Sequence, residues 1–127
     1  MAGISSKIWT DDLVALVHRC ERGDPEAALL REIHTLLANG PKDLCEPIAQ
    51  AIPRGELDRL IECGASESAA LRLLGACGYM VSAGAGSQAI VTVFFPASKT
   101  EWTFNARTIA TAAVGALATG LSEQVRP

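Results

Sequence analysis

The sequence lacks the closely spaced cysteines and histidines that build most metal sites. The nearest two of its four cysteines, Cys63 and Cys77, stand 14 positions apart, and His34 belongs to a different segment from His18. His18 and Cys20 are two positions apart, but on a predicted helix residues at that spacing point in different directions. Structural zinc sites usually contain a pair of ligands two to four residues apart, so we expect no bound metal. We identify no segment that directs the chain to an oxidising compartment, and we therefore expect four free thiols.

The sequence also lacks a block of like charge and a long apolar run. Its 11 basic residues are scattered and the formal net charge is −3, a balance that disfavours nucleic acid as a partner. Residues 1–9 contain no apolar signal-peptide core, and residues 108–122, the longest stretch of low charge, are too short for a membrane span. These features predict a cytoplasmic protein that does not associate with a membrane.

No catalytic or nucleotide-binding motif is recognisable. The glycines of residues 84–86 follow a predicted strand, but the third glycine of a dinucleotide-binding loop is missing and another strand follows. A hairpin turn explains this segment. Cys20 and His34 could meet across two helices as a nucleophile and a base, yet no oxyanion-hole signature accompanies them. We therefore assign no catalytic, cofactor-binding or metal-binding residue.

Aromatic residues are few and unevenly placed. The sequence has two tryptophans, one tyrosine and three phenylalanines, and all but Trp9 lie between Tyr79 and Phe104. Bulky core residues are thus concentrated in the second half of the chain. A length of 127 residues suits one domain. We place it at residues 1–127, with a mainly helical half at 10–63 and a mixed half at 64–122.

Apolar residues recur at helical spacing through the first half. Residues 11–22 form a predicted amphipathic helix, and Asp24 followed by Pro25 caps and begins a second helix that ends near Gly40. The two helices are expected to pack as an antiparallel hairpin. Prolines then leave room only for short helices, which we place near residues 44–52 and 56–63.

The second half changes from helical to strand periodicity. Ser66 is the expected cap of a helix that ends at Gly78. Three short segments rich in β-branched and aromatic residues follow, at residues 79–83, 88–95 and 100–104. We therefore predict an α+β fold: an N-terminal helical hairpin, short helices, then a helix, a three-stranded antiparallel meander and a closing buried helix at residues 108–121.

The closing helix is apolar around its whole circumference, and this suggests a partner. Ile109, Ala112 and Ala113 begin a face suited to the meander, while the opposite face is also apolar. A three-stranded sheet covers only one side of a helix, and the N-terminal hairpin is expected to use its own apolar stripes internally. The sequence therefore predicts a homodimer or a contact with another protein, formed by Trp102, Val114, Ala118 and Leu121.

The order of several short segments resembles that of a known group of proteins. Residues 12–21, the Leu-x-x-Glu-Ile segment at 29–33 and residues 68–74 leading into 78–82 precede an Ala/Thr-rich closing helix. This order resembles uncharacterised small proteins found in phages and prophages, which are similar to the phage helix–sheet–helix (ABA) sandwich domain. The resemblance implies that fold and assigns no catalytic residue.

Two functional hypotheses follow. The leading one is a non-enzymatic accessory protein, derived from a phage or prophage, that binds another protein or itself without a cofactor. The alternative is a small-ligand-binding or enzymatic domain. It would have a pocket between the meander and the helices, and it would use Tyr79, His34 or a cysteine.

Overall fold

The computed structural model describes residues 6–96 and 98–125. These residues form six α-helices and three strands, and two single turns of 3₁₀-helix flank β1, at Leu74–Ala76 and Ala85–Ser87. The elements in chain order are α1 (Ser6–Arg22), α2 (Glu26–Asn39), α3 (Lys42–Ala49), α4 (Arg54–Glu62), α5 (Ser66–Leu73), β1 (Gly78–Ala83), β2 (Ala89–Phe95), β3 (Thr100–Ala106) and α6 (Ile109–Val125). The predicted α+β fold is confirmed.

The three strands form an antiparallel meander in the order β1-β2-β3. Val91 of β2 is the register partner of Val81 on β1 and of Phe104 on β3. Side chains alternate between the two faces of a sheet, and the buried residues of β2 (Val91, Val93 and Phe95) all lie on one face. That inner face packs against α6, which contacts both β2 and β3.

Helix α6 is the centre of the molecule. It contacts the sheet, and it also contacts α1, α2 and α5. Its residues from Ala110 to Ala118 are all buried, and the core residues of the helical half and of the sheet join around it in one continuous cluster. Helices of the same chain therefore cover the apolar surface that the sheet leaves free.

Two glycines allow the sheet to approach α6 closely. A methyl group built on Gly115 would collide with the ring of Phe104, and one built on Gly120 would collide with the rings of Phe95 and Trp102. Aromatic rings of β2 and β3 thus lie directly on the helix backbone. This contact explains why a buried helix retains glycine at a cost in helix propensity.

Helix α1 is longer than the sequence analysis predicts. It begins at Ser6 instead of residue 11, and its first turns place Trp9 in the core with 1% of its surface exposed. The indole N–H of Trp9 donates a hydrogen bond to the carbonyl oxygen of Leu36 at 2.7 Å. The start was missed because residues 1–9 contain only isolated apolar side chains and no clear cap.

The two predicted helix caps are also wrong in detail. Helix α2 starts at Glu26 and α5 at Ser66, close to the predicted positions, but neither helix has a side-chain cap hydrogen bond. Asp24 instead accepts hydrogen bonds from Arg19 and Arg22, both at the end of α1. The carboxylate therefore stabilises the turn between the helices through two guanidinium groups.

Candidate interaction surface

Most of the residues predicted to contact a partner are buried inside the chain. Val114, Ala118 and Leu121 have exposed fractions of 1%, 0% and 0%. The predicted contact through these three residues is wrong, because α1, α2 and α5 pack on α6 and leave no free apolar side. The apolar stripe of α1 is wide enough to contact both α2 and α6, which the sequence analysis did not anticipate.

Trp102, the fourth predicted contact residue, is half-buried and lies on the inner face of β3. It is the register partner of Val93, and its ring lies beside Gly120 of α6. Its indole nitrogen is buried and has no hydrogen-bond partner among the described residues. Trp102 therefore belongs mainly to the contact between the sheet and α6.

The opposite face of the sheet is exposed, and we call it the open sheet face. Two of its apolar side chains are accessible: Met80 is 65% exposed and Phe94 is 38% exposed. Its side chains come from alternate positions of the three strands: Met80, Ser82, Ile90, Thr92, Phe94, Glu101, Thr103 and Asn105.

The open sheet face is nearly free of charge. Glu101 is its only charged side chain. At its centre the hydroxyl groups of Thr92 and Thr103 form a hydrogen bond of 2.8 Å across the strands. Met80 is the register partner of Thr92, so its apolar side chain lies beside these two hydroxyl groups in a region of little charge. This composition resembles the centre of a protein–protein interface more than a typical surface.

Sequence reasoning missed this surface although a signal was present. Phe94 and Phe95 are consecutive, and consecutive residues of a strand point to opposite faces. One of the two rings therefore had to lie on the side away from α6. Met80 gives the same signal in β1, because it alternates with Tyr79 and Val81. Apolar side chains on both sides of the meander indicated that the second face, not the closing helix, lacks a cover.

A cavity of about 710 Å³ lies between the turn that joins α1 to α2 and the connection from β3 to α6. Polar and apolar surface contribute about equally to its lining, which comprises Cys20, Glu21, Arg22, Gly23, Asp24, Pro25, Glu26, Gln88, Asn105, Ala106, Arg107, Thr108 and Thr111. Thr108 accepts a hydrogen bond from the backbone N–H of Thr111 at 3.2 Å, which caps α6. The cavity corresponds in position to the pocket between meander and helices considered above.

The residues suggested for chemistry in such a pocket do not come together in it. Tyr79 is on β1 outside the cavity lining, and His34 is buried in α2, where its Nε2–H donates to the carbonyl of Ile52 at 2.8 Å. Cys20 does line the cavity, but burial raises the pKa of its thiol to about 12. A thiol with that pKa is protonated at neutral pH and is a poor nucleophile.

The cysteines lie apart as free thiols, with Cys63 exposed and Cys20 and Cys45 buried. Burial raises the pKa of Cys45 to about 12 and that of Cys77 to about 11. Within residues 6–96 and 98–125 no three His, Cys, Asp or Glu side chains are placed to hold a metal ion. In the same residues, no helix has the length and apolar character needed to cross a membrane.

We compared the chain with protein family models, with curated protein sequences and with solved structures, and found no match in any of the three.

Proposed function

We propose that this chain is a non-enzymatic accessory protein of phage or prophage origin that works in the cytoplasm by binding another protein or itself. The observation that carries the proposal is the open sheet face. It exposes Met80 and Phe94 beside a hydrogen-bonded pair of threonines and has one charged side chain. Exposed apolar patches on soluble domains usually mark contact surfaces.

The chemistry of this face favours a protein partner over other ligands. Thioether, aromatic and methyl groups gain free energy when they leave water, and a flat sheet surface suits another ordered surface better than a small molecule. A phosphate-rich partner would require lysines or arginines, and the open sheet face presents none. The resemblance to small phage proteins supports the proposed origin.

Site-specific photo-cross-linking in cells tests the proposal. A photoreactive amino acid at position 80 reports on the open sheet face, and the same group at the exposed Asp43 of α3 serves as the matched control. We expect discrete adducts from position 80 and none from position 43. The mass of each adduct then identifies a second copy or a different protein. Equal or absent cross-linking at both positions would refute binding through this face.

The cavity supports a second candidate, a small polar ligand bound between the α1–α2 turn and the start of α6. Its volume of about 710 Å³ lies in the range of small-molecule pockets. A thermal-shift screen against metabolites and metal ions tests this function, because a ligand that binds only the folded state raises the melting temperature. A true ligand should lose its effect when Thr111 is replaced by Val and keep it in the Thr35→Val control.

A further inference from the structure

The free edge of β1 has a defined hydrogen-bonding pattern. The N–H of Gly84 donates to the carbonyl of Gln88 at 2.8 Å, directly beyond the register pair Ala83 and Ala89. Hydrogen-bonded and non-hydrogen-bonded pairs alternate along an antiparallel ladder. The N–H and C=O groups of Ser82 and Met80 therefore point toward β2, and those of Tyr79, Val81 and Ala83 point away from the sheet.

These outward groups are open to a partner. Tyr79, Val81 and Ala83 have no backbone hydrogen bond outside the sheet among the described residues. The side chains beside this edge are also accessible, since Met80 is 65% and Tyr79 45% exposed. Tyr79 is on the inner face, but α6 lies against β2 and β3 and does not reach far enough to cover it.

Strand β1 itself carries none of the features that usually prevent strand pairing, although the exposed Glu67 of α5 lines the same cavity as Val81 and Ala83. Natural edge strands are protected by charged residues, prolines, bulges or a covering element. Strand β1 has no charged residue and no proline, and its register with β2 is unbroken over six residues. The other edge strand, β3, carries Glu101 with its backbone groups directed outward, and Lys99 and Arg107 flank it.

We propose that β1 pairs antiparallel with β1 of a second copy, across a two-fold axis at Val81, to form a continuous six-stranded sheet. The proposal rests on the protein-binding function above, and it assigns a second copy to the strand edge that borders the open sheet face. Only residues with outward backbone groups can face one another in hydrogen-bonded pairs. Centring the pair on Val81 places Tyr79 opposite Ala83 of the second copy. Each of the three outward residues then uses both its N–H and its C=O group in hydrogen bonds to the second copy.

The pairing suits a second copy because the strand is its own complement. A neutral strand meets no like charge when it pairs with itself, and an isologous contact closes after two copies. It also places the exposed Tyr79 opposite Ala83 of the second copy on the inner face, and the exposed Met80 opposite Ser82 of the second copy on the open sheet face. The contact is small, because a strand of this length spans only about 20 Å, well short of a standard interface. The dimer therefore forms at high protein concentration.

Proline substitutions on the two edges test the hydrogen bonds. Ala83→Pro removes an outward N–H from β1 without removing a bond to β2, and Asn105→Pro does the same on β3. By sedimentation equilibrium we expect Ala83→Pro to weaken dimerisation about tenfold or more, and Asn105→Pro to leave it unchanged. Circular dichroism checks that both variants fold. Equal effects of the two substitutions, or a wild-type monomer at millimolar concentration, would overturn the proposal.

Cross-linking tests the geometry. In a Cys63→Ser background, Ser82→Cys places two thiols about 8 Å apart in the proposed dimer, whereas Thr103→Cys places them about 24 Å apart. A short bismaleimide should join only the first pair. Efficient linkage at position 103 would show that the copies meet elsewhere. If position 80 cross-links only to a different protein, self-pairing is refuted while the protein-binding function stands.

Discussion

The indole N–H groups of the two tryptophans are in different hydrogen-bonding environments. The Trp9 N–H donates to the Leu36 carbonyl, whereas the buried Trp102 N–H has no acceptor among the described residues. Replacing Trp9 with Phe removes a satisfied buried hydrogen bond and should lower the free energy of unfolding by about 1–3 kcal/mol beyond the loss of ring volume. Trp102→Phe removes the same volume together with an unsatisfied donor, so it should cost less. Urea denaturation measures both, and a larger loss for Trp102→Phe would contradict this account.

Glycine has opposite consequences at different helical positions. Gly115→Ala and Gly120→Ala place a methyl group against the aromatic rings of the sheet, and we expect each to lower the free energy of unfolding by about 1–3 kcal/mol. The control is Gly55→Ala in α4, where a methyl group meets no atom within 4 Å. That change should leave stability equal or higher, because alanine favours the helix. Thermal unfolding of the three variants shows whether close packing or helix propensity dominates in α6.

The position of α6 between the sheet and the other helices reverses the expected effect of a charge on it. The sequence alone predicts that Val114→Glu splits a dimer and leaves the fold intact, because it places Val114 in a contact with a partner. Since Val114 is buried beneath other elements of its own chain, the carboxylate would be forced into the core, and we expect a loss of more than about 4 kcal/mol. Far-ultraviolet circular dichroism should show an unfolded or aggregated protein. Ala15→Glu, at an exposed position of α1, should fold normally.

Helix α4 is connected to its neighbours by carboxylates that titrate at low pH. Hydrogen bonds from Arg59 and Arg72 hold the pKa of Glu56 below its usual 4.5, and a hydrogen bond from Arg31 holds that of Asp58 below 3.8. A carboxyl group with a lowered folded-state pKa stabilises the fold above its unfolded pKa, and this contribution is lost as the pH falls through the folded value. Acid titration should therefore show stability falling below about pH 4.5. Glu56→Gln should flatten that dependence, and an unchanged acid titration in this variant would contradict the assignment.

At the scale of elements, local sequence patterns predicted which helices and strands form better than they predicted how these elements pack. The three strands and α6 were predicted within a few residues, because β-branched residues and the uniformly apolar closing segment are strong local signals. The start of α1 was missed because Trp9 has no periodic apolar neighbours. The open sheet face was missed because the apolar character of α6 suggested an uncovered helix. Which element covers α6 depends on tertiary packing, and no local pattern around Val114 specifies it.

At the scale of the whole molecule, one core includes both halves of the chain. Leu13 and Leu16 of α1 belong to the same buried cluster as Leu117 and Leu121 of α6 and Val91 of β2. The mixed half alone would therefore expose one side of α6 to water. A helix that is apolar all round requires cover on every side, and a three-stranded sheet covers one of them.

This arrangement predicts that the two halves cannot fold separately. Residues 64–127 expressed alone should give a collapsed or aggregating chain without a cooperative thermal transition, since the helices that cover the far side of α6 are missing. Co-expression with residues 1–63 should restore a soluble complex, because α1 and α2 supply the missing apolar surface. A cooperatively unfolding monomer from residues 64–127 would contradict the assignment of α6 as a shared core helix. Dissociation of the paired halves on Leu13→Asp, but not on Ala15→Asp, would show that the buried side of α1 joins them.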